Sequence, residues 1–192
     1  MKKETIKNTF NRTSFLEQAR EQKTVWDILI IGGGATGLGV ALDAASRGLK
    51  TLLLEQADFS SGTSSRSTKL AHGGVRYLAQ GNIGLVKDAL YERGLMLQNA
   101  PHLAKMLPFV IPGYRWWDKY FYGIGLKIYD WMARKLRVGK TVLLSSKEVQ
   151  GFLPDIRKKG LSGGVLYYDG QFDDSRLAIN LAQTSAQKGA TL

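Results

Sequence analysis

The stretch Trp26-Asp27-Ile28-Leu29-Ile30-Ile31-Gly32-Gly33-Gly34-Ala35-Thr36-Gly37-Leu38 decides the fold class. Its first half is a short apolar run rich in β-branched side chains, halted by three glycines. That pattern predicts a buried parallel strand. Ala35 to Arg47 has helical spacing, with Leu38, Ala41, Leu42 and Ala45 on one side, and Gly48 stands where a helix stops. Thr51-Leu52-Leu53-Leu54-Glu55 predicts the next strand. A strand, helix and strand in this order close as a right-handed crossover in a parallel sheet. The predicted fold class is α/β.

The glycines have separate tasks. Gly32 permits the tight turn, Gly34 lets a pyrophosphate approach bare backbone, and Gly37 lets the helix lie close to the strand. The helix N-terminus offers N–H groups and a partial positive charge to phosphates. Glu55 ends the second strand, where a carboxylate accepts hydrogen bonds from a ribose and disfavours a 2′-phosphate. Together these features predict a Rossmann-like, dinucleotide-binding domain and argue against NADP.

Outward from this unit, residues 1–24 read as a polar leader with a short helical pattern around Ser14 to Arg20, and residues 25–192 as one domain. Helices are predicted over Ile83 to Ala100, Trp116 to Arg137 and Asp173 to Lys188, and strands over Met106 to Ile111 and Gly164 to Asp169. Ala190-Thr191-Leu192 has the pattern of an opening strand, so the expectation is a domain truncated at its C-terminus.

Composition narrows the function classes. The 192 residues include no Cys and two His, His72 and His102, which excludes a disulfide scaffold, a thiol nucleophile and a His-rich metal centre. The net charge of +11 suits an anionic partner such as phosphate or an acidic membrane surface. Basic residues are scattered without a recognised module, so nucleic acid is not an expected partner. The leader lacks an apolar segment and no run is long enough to span a bilayer. The expected location is cytoplasmic, peripheral to the inner membrane face at most.

A second informative stretch runs Ser61-Gly62-Thr63-Ser64-Ser65-Arg66-Ser67-Thr68-Lys69-Leu70-Ala71-His72-Gly73-Gly74-Val75-Arg76-Tyr77-Leu78. Its hydroxyls suit a pyrophosphate or a polar ring edge, Gly73-Gly74 lets backbone meet a flat ring, and Arg76 could hold an anionic substrate. Composition alone would make it a flexible Ser/Thr loop.

With Ile31 to Gly48 and Glu55, this stretch resembles the FAD-dependent glycerol-3-phosphate dehydrogenase family. Ala100-Pro101-His102-Leu103, Gly125-Leu126-Lys127-Ile128-Tyr129-Asp130 and Asp173-Asp174-Ser175-Arg176-Leu177 are similar to it too, so the resemblance spans about residues 25 to 190. It implies oxidation of sn-glycerol 3-phosphate to dihydroxyacetone phosphate, with FAD as cofactor and a membrane quinone as acceptor. It implies that Gly32, Gly34 and Gly37 bind the FAD pyrophosphate and Glu55 the ribose. Ser64, Ser65, Lys69, Leu70, His72, Gly73 and Gly74 would line the flavin end. Arg76 would contact the substrate phosphate, and Tyr77 the substrate. Family members are longer, with a helical C-terminal domain and further basic substrate contacts, and the full-length form is expected to be a homo-oligomer. An oxidase passing electrons to oxygen shares these motifs, and a silent dinucleotide-binding fragment is the third reading. Leu38 departs from the small residue usual in the family, and would either crowd the phosphate turn or pack outward.

His72 is the candidate general base, since imidazoles exchange protons near neutral pH, against the alternative of packing or bonding backbone. Trp116 to Arg137 mixes aromatic and basic residues. Such a helix lies in a membrane interface or closes the core with its aromatic face; helical aromatic stripes are usually core, which favours the second.

Overall fold

The computed structural model describes residues 10–192 apart from 22–23, 75–76, 78–79, 134–135 and 137. The chain divides into two compact units. The first is discontinuous and comprises Met1–Thr68 with Asp173–Leu192; the second is Lys69–Phe172.

In the first unit, α1 (Arg12–Arg20) starts at Asn11, whose side chain accepts from the Thr13 and Ser14 N–H groups, and buries Phe15. Strands β1 (Ile28–Ile31) and β2 (Thr51–Leu54) pair in parallel, Ile28 opposite Thr51 through Ile31 opposite Leu54. The crossover is α2 (Ala35–Ser46), and Thr191 forms a parallel bridge to Leu52. A last helix, α6 (Asp174–Gln187), packs on α2. Small side chains allow this approach. Leu38, Ala41, Leu53, Ala178 and Ala182 form one buried cluster, with Ile30 against it. Leu38 therefore packs inward, not outward as one reading had it. Leu42 is half-buried, and Ala44 takes its expected place in the buried set. Expected to be buried throughout, β1 is covered on one face only: Leu29 and Ile31 are exposed. Alternate residues of a strand face opposite sides, and α2 packs against the Ile30 side.

The second unit is built on an antiparallel sheet, an addition to the parallel one. Here β6 (Gly163–Phe172) is central. Along one side runs β4 (Ala104–Gly113), and along the other lie β5 (Val142–Leu144) and β3 (Leu70–Ala71). Strand β4 carries Pro108 and Pro112 because it is an edge strand. Helices α3 (Ile83–Asn99), α4 (Asp118–Met132) and α5 (Ser146–Phe152) complete the unit. Val86 and Leu90 of α3 meet Tyr129, Met132 and Ala133, and a second cluster joins Leu144, Val149, Leu161 and Leu166. The aromatic stripe does not close the core. Tyr129 is buried, while Trp116, Trp117, Tyr120, Phe121 and Trp131 are exposed. No described helix is long and apolar enough to cross a membrane.

Candidate functional site

The glycine turn joins β1 to α2. Gly32 has φ +109°, a region that disfavours side chains, and its N–H donates to the Leu54 carbonyl (2.8 Å). Gly37 stands against the Gly32 carbonyl so closely that a Cβ would overlap its oxygen. The space beside Gly32 is open, and a Cβ on Gly34 would meet only the Ser64 side chain among the described residues, its Oγ at 3.1 Å. Gly34 provides no side-chain cap, and the first turn of α2 contains no acidic residue. A helix N-terminus with no side-chain cap from its own N-cap residue and no acidic group in its first turn is suited to an anion.

Glu55 reaches this turn. Its Oε2 accepts from the Gly33 N–H (2.7 Å) and its Oε1 from the Ala57 N–H (2.8 Å). The Gly33 bond, then the Ala57 bond, hold the carboxyl below the ordinary glutamate range. Each oxygen keeps a further lone pair, so the anchored carboxylate can still accept from a diol.

The serine-rich segment is pinned on both sides. Ser64 Oγ accepts from the Ala35 N–H (2.8 Å), which puts a hydroxyl at the mouth of α2. Ser65 Oγ donates to the Gly62 carbonyl (3.2 Å). Ser67 donates to Asp174 Oδ2 through both its N–H (3.0 Å) and its hydroxyl (2.7 Å). Ser60 adopts φ +62° and its N–H donates to the Gly33 carbonyl (2.9 Å). Its Oγ is buried and has no hydrogen-bond partner among the described residues. Ser60 thus combines a left-handed backbone with an unsatisfied buried hydroxyl beside the glycine turn.

The remaining candidates belong to the second unit. Lys69 has φ +57° and its carbonyl accepts from Phe172, while Leu70 pairs with Gln171 in the sheet. His72 is exposed, and its Nδ1 accepts from the Gly74 N–H (3.0 Å). The neutral ring therefore carries its proton on Nε2. The Gly73 N–H donates to Tyr129 Oη (2.7 Å). Gly74 has φ +69°, and a Cβ there would strike the Tyr77 ring. Tyr77 is exposed, and Arg76 lies outside the described residues.

The structure thus brings Gly32, Gly34, Gly37, Glu55 and Ser64 together in the first unit, and Lys69, Leu70, His72, Gly73, Gly74 and Tyr77 along one segment of the second. Sequence reasoning missed Ser60, Ser67 and Asp174. The Asp173-Asp174 pair opening a helix was visible, but nothing linked it to a serine far upstream.

A family model described as FAD dependent oxidoreductase matches residues 27–192. This chain belongs to the FAD dependent oxidoreductase family. The cofactor of these oxidoreductases is FAD, and the residues described fit it: a glycine-lined helix N-terminus for the pyrophosphate, a carboxylate for the ribose, and, five residues after that carboxylate, the orphaned hydroxyl of Ser60.

Within the FAD dependent oxidoreductases, the mitochondrial glycerol-3-phosphate dehydrogenase of Macaca fascicularis is 49% identical over 172 residues, covering 86% of this chain and 24% of that protein. The probable mitochondrial glycerol-3-phosphate dehydrogenase of Dictyostelium discoideum is 46% identical over 193 residues, covering 96% of this chain and 30% of that protein. The X-ray structure of the Bacillus halodurans glycerol-3-phosphate dehydrogenase complexed with FAD matches with a TM-score of 0.67 at 31% identity, over 95% of this chain and 28% of that one. The chain spans about a quarter of the length of the curated relatives it matches.

Proposed function

We propose that this chain forms the FAD-holding part of an enzyme that oxidises sn-glycerol 3-phosphate to dihydroxyacetone phosphate and passes the electrons to a membrane quinone. The observation that carries the reading is the Glu55 carboxylate locked onto Gly33 at the glycine-lined mouth of α2, in a chain 49% identical to a glycerol-3-phosphate dehydrogenase.

When bound, FAD supplies the two-electron acceptor that turns the secondary alcohol into a ketone; the protein supplies orientation and charge. Gly32, Gly34 and the first turn of α2 receive the pyrophosphate, Gly37 keeps that turn close to β1, and Glu55 holds the ribose. Ser64 and Ser65 add hydroxyl contacts. Lys69, Leu70, Gly73 and Gly74 carry the backbone that faces the flavin. Arg76 holds the substrate phosphate, and Tyr77 contacts the substrate. His72 is the group that exchanges a proton with the substrate alcohol. In the geometry described it presents Nε2–H, so proton uptake requires Nδ1 to release Gly74.

The acceptor places the protein against a membrane face, as a peripheral homo-oligomer. The exposed Trp116, Phe121 and Trp131, with Lys119 and Lys127 of α4, give that face the aromatic and cationic groups that a headgroup layer attracts.

The test is made on the protein as its gene encodes it. It should purify yellow with one FAD per chain, and sn-glycerol 3-phosphate should bleach it under anaerobic conditions. A flavin-free protein, or a flavin indifferent to this substrate, sinks the reading. Hydrogen peroxide released in place of quinone reduction makes it an oxidase. Arg76→Ala should raise KM for the substrate by about 10- to 100-fold, because it deletes a charge-assisted phosphate contact; an unchanged KM removes Arg76 from the site.

A further inference from the structure

The second unit contains a buried polar chain that none of the roles above uses. Tyr129 of α4 accepts from the Gly73 N–H (2.7 Å) and donates its own hydroxyl to Asp169 Oδ2 of β6 (3.1 Å). Asp169 Oδ1 in turn accepts from Arg93 Nη1 of α3 (2.8 Å), and the Arg93 guanidinium lies 5.5 Å from the centre of the Tyr129 ring. All three side chains are buried.

Stability does not account for such an arrangement. Apolar side chains of similar volume commonly do as well as a buried ion pair, or better. What the chain does is directional. The β3–β6 ladder covers only Leu70 and Ala71. Two residues beyond, the Gly73 N–H has the Tyr129 phenol as its acceptor. The backbone is pressed onto that phenol: a Cβ on Gly73 would come within 2.6 Å of Tyr129 Oη and 2.5 Å of Leu90 Cδ2. Because Tyr129 donates to a carboxylate, its oxygen is a strengthened acceptor. Burial, then the Asp169 charge, push the phenol far above its ordinary titration range, so the hydroxyl keeps its proton and the chain keeps its direction. The next peptide continues the sequence, since the Gly74 N–H donates to His72 Nδ1.

We propose that Tyr129, Asp169 and Arg93 are positioning residues that set the height of the Gly73–Gly74 backbone, and through it the His72 ring, against the bound flavin. This rests on the reading above that Gly73 and Gly74 face the flavin.

Tyr129→Phe removes one oxygen and leaves the ring in place. In the protein as its gene encodes it, this variant should retain one FAD per chain. It should show kcat lowered by about 10-fold or more, KM for sn-glycerol 3-phosphate within about two-fold, and a shifted visible spectrum of the bound flavin. A folded, flavin-replete Tyr129→Phe protein with unchanged kcat and spectrum overturns the proposal. If Tyr129→Phe does not fold, the triple variant Arg93→Met, Tyr129→Phe, Asp169→Leu decides. Folded with slowed turnover and a shifted spectrum, it supports positioning; folded with full turnover, or unfolded, it overturns it. A wild-type protein without flavin fails the functional reading, whereas a wild type that turns over and a variant equal to it fail this inference alone.

Discussion

At the scale of single residues, Gly37 and Glu55 hold the site, by opposite means. Gly37 acts by what it lacks: the Gly32 carbonyl occupies the position of its missing Cβ. Gly37→Ala should force α2 away from β1 and cost about 1–3 kcal/mol in urea denaturation, with loss of FAD retention. Gly39, two residues along the same helix, has open space around its Cβ position. Gly39→Ala should therefore stabilise the protein by about 0.5–1 kcal/mol through helix propensity alone. If the two substitutions behave alike, the close approach is not what Gly37 is for. Glu55 acts by its charge. Its carboxyl titrates below the ordinary value of 4.5 because the Gly33 and Ala57 N–H groups bond the ionised form. The fold thus favours the anion. Its contribution is complete above about pH 4.5 and is lost as pH falls through the lowered folded value. Flavin fluorescence released on acidification should stay flat to that pH and rise below it. Glu55→Gln should weaken FAD binding by about 10- to 100-fold at neutral pH, since a charged acceptor becomes neutral.

At the scale of elements, the Ser/Thr segment is a tied-down arm. Asp174, buried at the start of α6, takes both the N–H and the hydroxyl of Ser67. Asp174→Ala leaves these donors unsatisfied and should cost about 1–3 kcal/mol. It should also open residues 60–68 to limited proteolysis; an uncut segment would show that Ser64 is held by other means. This tie was illegible in the sequence because it links positions more than a hundred residues apart, and serine-rich composition by itself indicates mobility. The crossover was legible for the converse reason: Ile28 to Leu54 signals through local periodicity and glycine placement. One local signal was nevertheless present and unread. Ser145 and Glu148 form a capping box, with Ser145 Oγ accepting from the Glu148 N–H and the Glu148 carboxylate accepting from the Ser145 N–H, and this S-x-x-E spacing starts α5. Pro112 suggests a strand end at Ile111, yet β4 runs on to Gly113 because an edge strand has one side free of the ladder. The aromatic helix α4 misled in another way. Its period is helical whichever face is buried, so periodicity could not say that Gly123, Leu126, Tyr129 and Met132 turn inward while Phe121 and Trp131 turn out.

At the scale of the whole molecule, the two units differ in how the chain supplies them. The second is one continuous segment, whereas the first closes only when Asp173–Leu192 joins Met1–Thr68. Leu38, Ala41 and Leu53 need Ala178 and Ala182 of α6 to complete their cluster. A protein cut after Phe172 should therefore bind a hydrophobic dye and aggregate, while residues 69–172 expressed alone should give a cooperative thermal transition. The opposite pair of outcomes would show that the dinucleotide crossover is self-sufficient.

This interrupted construction has a temporal side. During translation the β1–α2–β2 crossover leaves the ribosome early, but its apolar side must wait for the entire stretch from Lys69 to Phe172 to be synthesised before α6 arrives to shield it. The nascent β1–α2–β2 crossover is thus made before the second unit and covered only after it, and chaperone capture should concentrate on Ile28–Leu54 in that interval.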